Sequence, residues 1–321
     1  MVAEETLRLG LTKTLDATDF PGLGRKYEGK VRDNYTTPDG RRFIVVTDRI
    51  SAFDHNLGTL PFKGQVLNRL ATHWFDATKD VVPNHLVRMV DPNVIECLEC
   101  TPLMVEMVVR AYLTGTTGTS IWTHYDKGGR SFCGHTLPDG MRKDQKLEKP
   151  ILTPTTKAPK GEHDVSGSRE EILATGHVTA KDFDEAAALA MKLFEAGSKI
   201  CAERGLILVD TKYEFGRTKD GKLVVIDEIH TPDSSRFWFA ETYEAAFAKG
   251  EDPKSFDKDT VRRHYRSLGY MGDGPPPPLT DDVRVFAASR YIEAYERITG
   301  TPFEPDVQEP QARMKKNLGL V

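Results

Sequence analysis

The sequence predicts an α+β fold: antiparallel sheets flanked by helices, divided between two lobes. Three observations carry that expectation. The first hundred residues read mainly as strands, and 321 residues suffice for two domains and a sizeable core. Residues 206–216, Leu-Ile-Leu-Val-Asp-Thr-Lys-Tyr-Glu-Phe-Gly, lead through Asp220-Gly221 into Leu223–Ile229, the pattern of a β-hairpin. Well-capped amphipathic helices follow Thr179 and Thr280. The lobes are expected at 1–108, mainly β, and 109–321, α+β.

Taken in order, Tyr27–Tyr35 and Arg42–Val46 are strand candidates joined by a turn at Thr37-Pro38-Asp39-Gly40. Val66, Leu67, Leu70, Ala71, Trp74 and Phe75 recur at helical spacing, so 65–76 is read as a helix. Val105–Val109 is another strand. Residues 115–160 are rich in Gly, Thr, Pro and Lys and read as loops and short strands. Ser168 and Glu171 form a capping box opening a short helix. Thr179 caps a longer one, whose stripe runs Phe183, Ala187, Ala190, Phe194, Gly197, Cys201, and Gly205 is placed to end it. That helix is expected to pack on the sheet carrying 206–216. Pro275–Pro278 form a stiff spacer before a last helix capped by Thr280 or Asp281, with Val285, Ala288, Tyr291, Ile292 and Tyr295 facing inward.

Composition excludes some functions. Net charge is −4, so no general basic surface suggests nucleic acid. No apolar run reaches the ~18 residues of a membrane span, and Met1–Glu5 lacks a signal-peptide pattern, so a soluble cytoplasmic protein is expected. Four cysteines are too few for a disulfide scaffold. Cys97 and Cys100 are spaced C-x-x-C, but the second half of a zinc set is missing. A monomer is the expected assembly.

The charged strand is the most informative segment. Asp210, Lys212 and Glu214 occupy alternate positions and share one face, while Thr211, Tyr213 and Phe215 share the other. Three ionisable groups in a row mark either plain solvated surface or a site. With Asp220 and Gly221 central to a two-residue turn, Phe215 faces Ile226 and Glu214 faces Asp227. Carboxylates that close, about 5 Å apart at Cβ, call for a positive charge between them. An all-oxygen pair suits Mg²⁺ held together with substrate phosphates. In this register Thr231 pairs with Asp210, which brings Arg236 beside the carboxylates.

Further clusters point the same way. Gly29-Lys30-Val31-Arg32 places a glycine beside two cations expected on one strand face, suited to phosphate or to a solvated edge; it is not a Walker A sequence. Thr47–Asp54 ends a strand in hydroxyls, acids and an arginine, as ligand loops and ordinary turns both do. Glu106 and Arg110 share a strand face, either as a simple ion pair or with Arg110 and the following Thr114-Gly115-Thr116 gripping phosphate. Lys157 and Lys160 add cations in a loop. One polyanionic, Mg²⁺-bound ligand accounts for all of them together.

From about Gly29 to Tyr295 the chain resembles the SAICAR synthetase family. The resemblance rests on Gly29–Asp33, Thr47–Asp54, Pro102–Thr116, Leu208–Gly216 and Thr231–Arg236, in the family's order. The four-proline spacer and the length resemble the longer form. Thr116 departs from the Ser of many members and keeps the hydroxyl. The resemblance implies a two-lobed ATP-grasp-like fold. It implies an ATP-dependent ligase of purine biosynthesis joining L-aspartate to the carboxylate of an imidazole ribotide, with Mg²⁺ as cofactor. Glu214 and Asp227 are then the Mg²⁺–ATP carboxylates. Lys30, Arg32 and Lys157 meet ATP phosphates, while Arg110, Thr116, Lys212 and Arg236 hold the ribotide. Asp210 orients Lys212 or the imidazole amine, and Asp210, Lys212 and Glu214 are the catalytic set. Asp48, Arg49, Ser51 and Asp54 are the candidates for aspartate. The N-terminal lobe would cover the nucleotide, and the C-terminal lobe would carry metal and ribotide. A small-molecule kinase or a catalytically silent nucleotide-binding protein is the alternative.

Overall fold

A computed structural model describes the chain except residues 1, 53–54, 118–119, 158–163, 256–258, 271 and 273; at 259, 260, 262 and 263 only the backbone is described. After helix α1 (Glu4–Gly10), strands β1 (Arg25–Glu28), β2 (Arg32–Thr36) and β3 (Arg41–Val46) begin the first sheet. β4 (Arg49–Ala52) and β5 (His55–Thr59) pair only with each other. Helix α2 (Lys63–Thr78) follows, then β6 (Leu86–Asp91) and β7 (Val94–Leu98), completing an antiparallel sheet of order β1-β2-β3-β7-β6. The strand expected over 27–35 is two strands. The Gly29 N–H donates to the Arg32 carbonyl at 2.8 Å, and Glu28 faces Asp33, so 29–31 are a hairpin turn. Lys30 therefore sits at a turn rather than on a strand face with Arg32.

The second sheet is built on β8 (Thr101–Leu113). Val108 and Val109, where the sequence divided the lobes, are mid-strand in it. The stretch read as loops and short strands holds helix α3 (Ile121–Asp126) and the small ladder of β9 (Ser131–Phe132) with β10 (His135–Thr136). β11 (Gln145–Leu152) and β12 (Thr155–Thr156) both pair with β8. Helix α4 (Arg169–Ala174) opens with the expected capping box, and α5 (Ala180–Glu203) is capped by Thr179. β13 (Leu206–Arg217) is the central strand: β8 lies on one side, and β14 (Leu223–Ile226) and β15 (Ser235–Phe239) share the other. Helices α6 (Ala240–Lys249), α7 (Asp259–Ser267), α8 (Asp281–Thr299) and α9 (Pro310–Asn317) complete the chain.

The alternation in β13 sorts its faces as expected. Thr211, Tyr213 and Phe215 are at most 1% exposed, and Tyr213 and Phe215 join the same core as Phe183, Ala190 and Phe194 of α5. That core is continuous from Ile44 and Val46 in the first sheet to Val105 and Val109 in the second. It leaves the other face of β13 free for charge.

The hairpin register differs from expectation by one residue. Glu214 faces Ile226, and Phe215 faces Val225. The loop has three residues, Lys219–Gly221, closed by Thr218 and Lys222; Gly221 supplies the left-handed conformation at φ 83°. Beyond Ile226 the strand stops because Asp227 and His230 are left-handed, at φ 67° and 51°. The chain leaves the sheet and returns as β15, so Asp210 faces Arg236 rather than Thr231. Among the described residues no helix is long and apolar enough to cross a membrane.

Candidate active site

The charged face of β13 is matched residue for residue by β8. Asp210 lies opposite Arg110, Lys212 opposite Val108, and Glu214 opposite Glu106. The facing carboxylate pair therefore exists, but Glu214's partner is Glu106 from the far side of the strand. The positive charge such a pair requires is Lys212, whose ammonium donates to Glu106 Oε1 at 2.7 Å and to Glu214 Oε1 at 2.6 Å. Lys157 donates to the other Glu214 oxygen. Burial alone would raise the Glu214 carboxyl, but Lys212 and Lys157 outweigh it and hold it well below the ordinary range. At Glu106, burial and the Glu214 charge outweigh Lys212 and Lys157 and leave the carboxyl raised. Burial opposes charge on Lys212 too, yet Glu214, Glu106 and Asp227 push its ammonium far above the usual lysine value.

Asp227 sits one residue past the hairpin ladder. Its left-handed backbone costs on the order of 1–3 kcal/mol, a strain that concentrates at functional sites. Arg32 reaches it from the turn-bearing hairpin of the first sheet, at 3.0 Å from Oδ1, and with its other nitrogen meets Glu228 at 2.7 Å. Burial raises the Asp227 carboxyl; Arg32 opposes that, and Glu214 and Glu228 add to it. Glu214 and Asp227 thus lie close enough for each to feel the other's charge. A carboxylate held ionised at Glu214 and a second acid at Asp227 whose ionisation is opposed by burial and neighbouring acids are suited to a hard cation. Among the described residues no three acidic, His or Cys side chains gather around one point. A magnesium ion here would rest on Glu214 and Asp227 and take its remaining oxygens from phosphate and water.

At the other end of the face Asp210 lies between two arginines. Arg110 Nη1 is 3.3 Å and Arg236 Nη2 3.4 Å from the same Oδ2. Arg110 Nε donates to Thr153 Oγ1 at 2.9 Å, so Thr153 orients the guanidinium. Burial holds that guanidinium below its usual range despite Asp210. Arg110 and Glu106 are not paired with each other; each is matched across the strand instead. Arg236 stands beside Asp210, four positions along β13 from Glu214, and not beside the carboxylates as the sequence suggested. Thr114, Gly115 and Thr116 turn at the end of β8 against Arg236, and Arg266 of α7 donates to Thr116 Oγ1 at 2.9 Å.

The segment read as an aspartate loop has other partners. Asp48 is buried and accepts from the Leu15 and Gly64 N–H groups at 2.7 and 2.8 Å, and burial pushes its carboxyl up to about 6. Arg49, 3% exposed, bonds Asp33 at 3.0 Å and donates to the Lys30 and Gly29 carbonyls, each at 3.0 Å. Both are committed to the chain itself, and Arg49 with Thr47 clamps the 29–31 turn. Ser51 is half-buried on β4, and Asp54 lies outside the described residues.

Sequence reasoning named Glu106 only beside Arg110, and assigned no role to Glu228, Thr153, Lys63 or Asp233. Lys63 is fully buried and paired with Asp233 at 2.8 Å, while Tyr291 donates to Asp233 Oδ1 at 2.6 Å. This ties α2 and α8 to the 227–234 loop. The isolated Glu in the apolar run Val105–Val109 and the acidic doublet after Val224-Val225-Ile226 were the available signals.

A model of SAICAR synthetase matches residues 25–275. A putative phosphoribosylaminoimidazole-succinocarboxamide synthase 2 from Mesorhizobium japonicum is 48% identical over 308 residues, 95% of this chain and 98% of that protein. The chloroplastic phosphoribosylaminoimidazole-succinocarboxamide synthase of Arabidopsis thaliana is 46% identical, over 95% of this chain and 75% of its own length. Among solved structures, SAICAR synthase from Saccharomyces cerevisiae in complex with SAICAR is 29% identical, with a TM-score of 0.77 over 91% of this chain and all of that one. A SAICAR synthetase in complex with ADP is 25% identical, with a TM-score of 0.66 over 88% of this chain and 100% of the other. By motif, fold and extent of match, the chain belongs to the SAICAR synthetase family.

Proposed function

We propose that the charged face of β13 is where phosphoryl donor and acceptor meet. The enzyme is an ATP-dependent ligase that joins L-aspartate to the carboxylate of 5-amino-1-(5-phosphoribosyl)imidazole-4-carboxylate, giving SAICAR, ADP and phosphate in purine biosynthesis. The observation behind the division of roles is the ladder itself. Acid–lysine–acid at Glu106, Lys212 and Glu214 lies at one end, and Arg110–Asp210–Arg236 at the other. Four residues of strand separate the two by about 13 Å.

In this reading Lys30, Arg32 and Lys157 meet the ATP phosphates, and Glu214 and Asp227 hold magnesium. Bound there, magnesium would neutralise charge on the transferring phosphoryl group. Arg110, Thr116 and Arg236 grip the ribotide, with Asp210 fixing the two guanidiniums. Lys212 lies between the ends and steadies the acceptor carboxylate. A ribotide carboxylate oxygen attacks the γ-phosphorus and ADP departs, leaving an acyl phosphate. The aspartate amine attacks the acyl carbon, loses a proton, and inorganic phosphate leaves with the original carboxylate oxygen. Water must be excluded, because it would hydrolyse the acyl phosphate. The first sheet, through the 29–31 turn, covers the nucleotide, and residues beyond β8 carry metal and ribotide. Ser51 and Asp54 remain the candidates for aspartate. A monomer is the proposed assembly, and the cytoplasm its proposed location.

The test is isotopic. With ¹⁸O in the ribotide carboxylate, one ¹⁸O should appear in each phosphate released, and ADP formation should require both ribotide and aspartate. Unlabelled phosphate would refute the acyl phosphate. ADP produced at the full rate without aspartate would refute this account of the ligase cycle.

A further inference from the structure

We infer that Arg266 is an additional ribotide-binding residue, which brings α7 over the phosphate end of the site. The inference rests on the reading that the ribotide phosphate occupies the turn after β8. That turn lines a cavity together with Arg236, Asp252, Ser255 and Arg266. Arg266 donates from Nη2 to Thr116 Oγ1 at 2.9 Å, spanning 150 residues of sequence. Gly115, at φ 106°, has the conformation that lets backbone approach a ligand closely. A side chain there would start 3.1 Å from Arg236 Nη1 and 2.5 Å from Ser120 Cβ, so the turn must stay bare.

The charges in this cavity are unevenly matched. Lys143 is paired with Asp252 at 2.5 Å, and Asp144 accepts from Thr114 at 2.5 Å. Arg266, half-buried, has no carboxylate within ion-pair distance among the described residues; it donates to the Thr116 hydroxyl. A guanidinium held against a neutral hydroxyl, facing a bare glycine turn and a second arginine, suits a phosphate ester. The segment just past α7 also meets the β4–β5 hairpin: His55 of β5 lies edge-on to Tyr270, with Nε2 3.3 Å from the Gly272 carbonyl.

The experiment uses the full-length enzyme with R266Q, R266K and R236Q as variants. R266Q should raise KM for the ribotide roughly 10- to 100-fold, the range for losing a charge-assisted bond to phosphate. KM for ATP and for aspartate should stay within about twofold, and inorganic phosphate should compete with ribotide more weakly in the same proportion. R266K should restore part of the loss, because a point charge replaces the fork. If R236Q raises the ribotide KM and R266Q does not, Arg266 has no such role and the reading of the pocket stands. If neither variant changes it, the pocket reading itself fails. Equal rises in all three KM values with a lowered melting temperature would mean that Arg266 only braces Thr116, which also overturns the inference.

Discussion

Replacing Lys212 by Met should uncouple the stability of the site from its activity. The ammonium lies 2.7 Å from a Glu106 oxygen and 2.6 Å from a Glu214 oxygen, so those two oxygens are at most about 5 Å apart. Two unit charges at that distance repel by roughly 3 kcal/mol at an effective dielectric constant near 20. One third of the Lys212 side chain is exposed, so solvent screening reduces the expected loss to about 1–2 kcal/mol at pH 8. The sign of the pH dependence follows from Glu106. Its carboxyl is already raised by burial, and losing Lys212 raises it further. A carboxyl with a folded pKa above its unfolded value costs stability above that folded pKa and recovers it on protonation. The deficit of K212M should therefore be full at pH 8 and shrink as pH falls toward 5. Adding E106Q should restore stability at pH 8, while turnover stays abolished in both. Urea unfolding followed by tryptophan fluorescence, across pH 5–8, measures this. A K212M protein as stable as its parent at pH 8, or a double variant no better than the single, would refute the charge-balance argument.

Three further outcomes are expected. E214Q should lower turnover at least 100-fold and remove the magnesium dependence of ATP affinity, measured by calorimetry with and without Mg²⁺; retained turnover would eliminate the metal role. R49A should release the 29–31 turn and raise KM for ATP about tenfold with KM for aspartate unchanged, since Arg49 bonds Gly29 and Lys30; the reverse pattern would return Arg49 to aspartate recognition. G197A places a Cβ 2.3 Å from His230 Cε1, beneath the loop joining Asp227 to Arg236. It should cost about 1–3 kcal/mol and reduce kcat/KM, whereas a melting temperature equal to the parent's would show that α5 yields there.

Local chemistry in the sequence was readable and long-range pairing was not. Thr179, Ser168 and Thr280 cap their helices as their positions predict, because capping is settled within four residues. The alternation of β13 identified its charged face for the same reason. The hairpin was found, but Asp-Gly serves both a two-residue turn and a three-residue turn with a bulge, and that one-residue difference moved Glu214 from Asp227 to Ile226. The partner that mattered, Glu106, is 108 positions earlier in the chain, and no local pattern states that β8 and β13 are neighbours. Helix α9 escaped notice because it lacks an apolar stripe; Arg313 anchors it, bonding Asp91 at 3.0 and 3.1 Å. Asp48 and Arg49 bond the chain itself, and local sequence does not separate a buttress from a ligand loop because both use the same residue types.

The internal pairing of the site also sets how its ligands must arrive. Arg32 holds Asp227 and Glu228, and Lys157 holds Glu214. In the proposed reading each cation gives up a carboxylate to receive a phosphate, and a desolvated carboxylate left alone is costly. Anion binding is thereby tied to the arrival of a second cation, and cation binding to the arrival of an anion. The two are linked thermodynamically, each tightening the other's dissociation constant by the same factor. On the proposed assignment, such a site would discriminate against bare nucleotide and bare metal alike, and reserve its affinity for the pair.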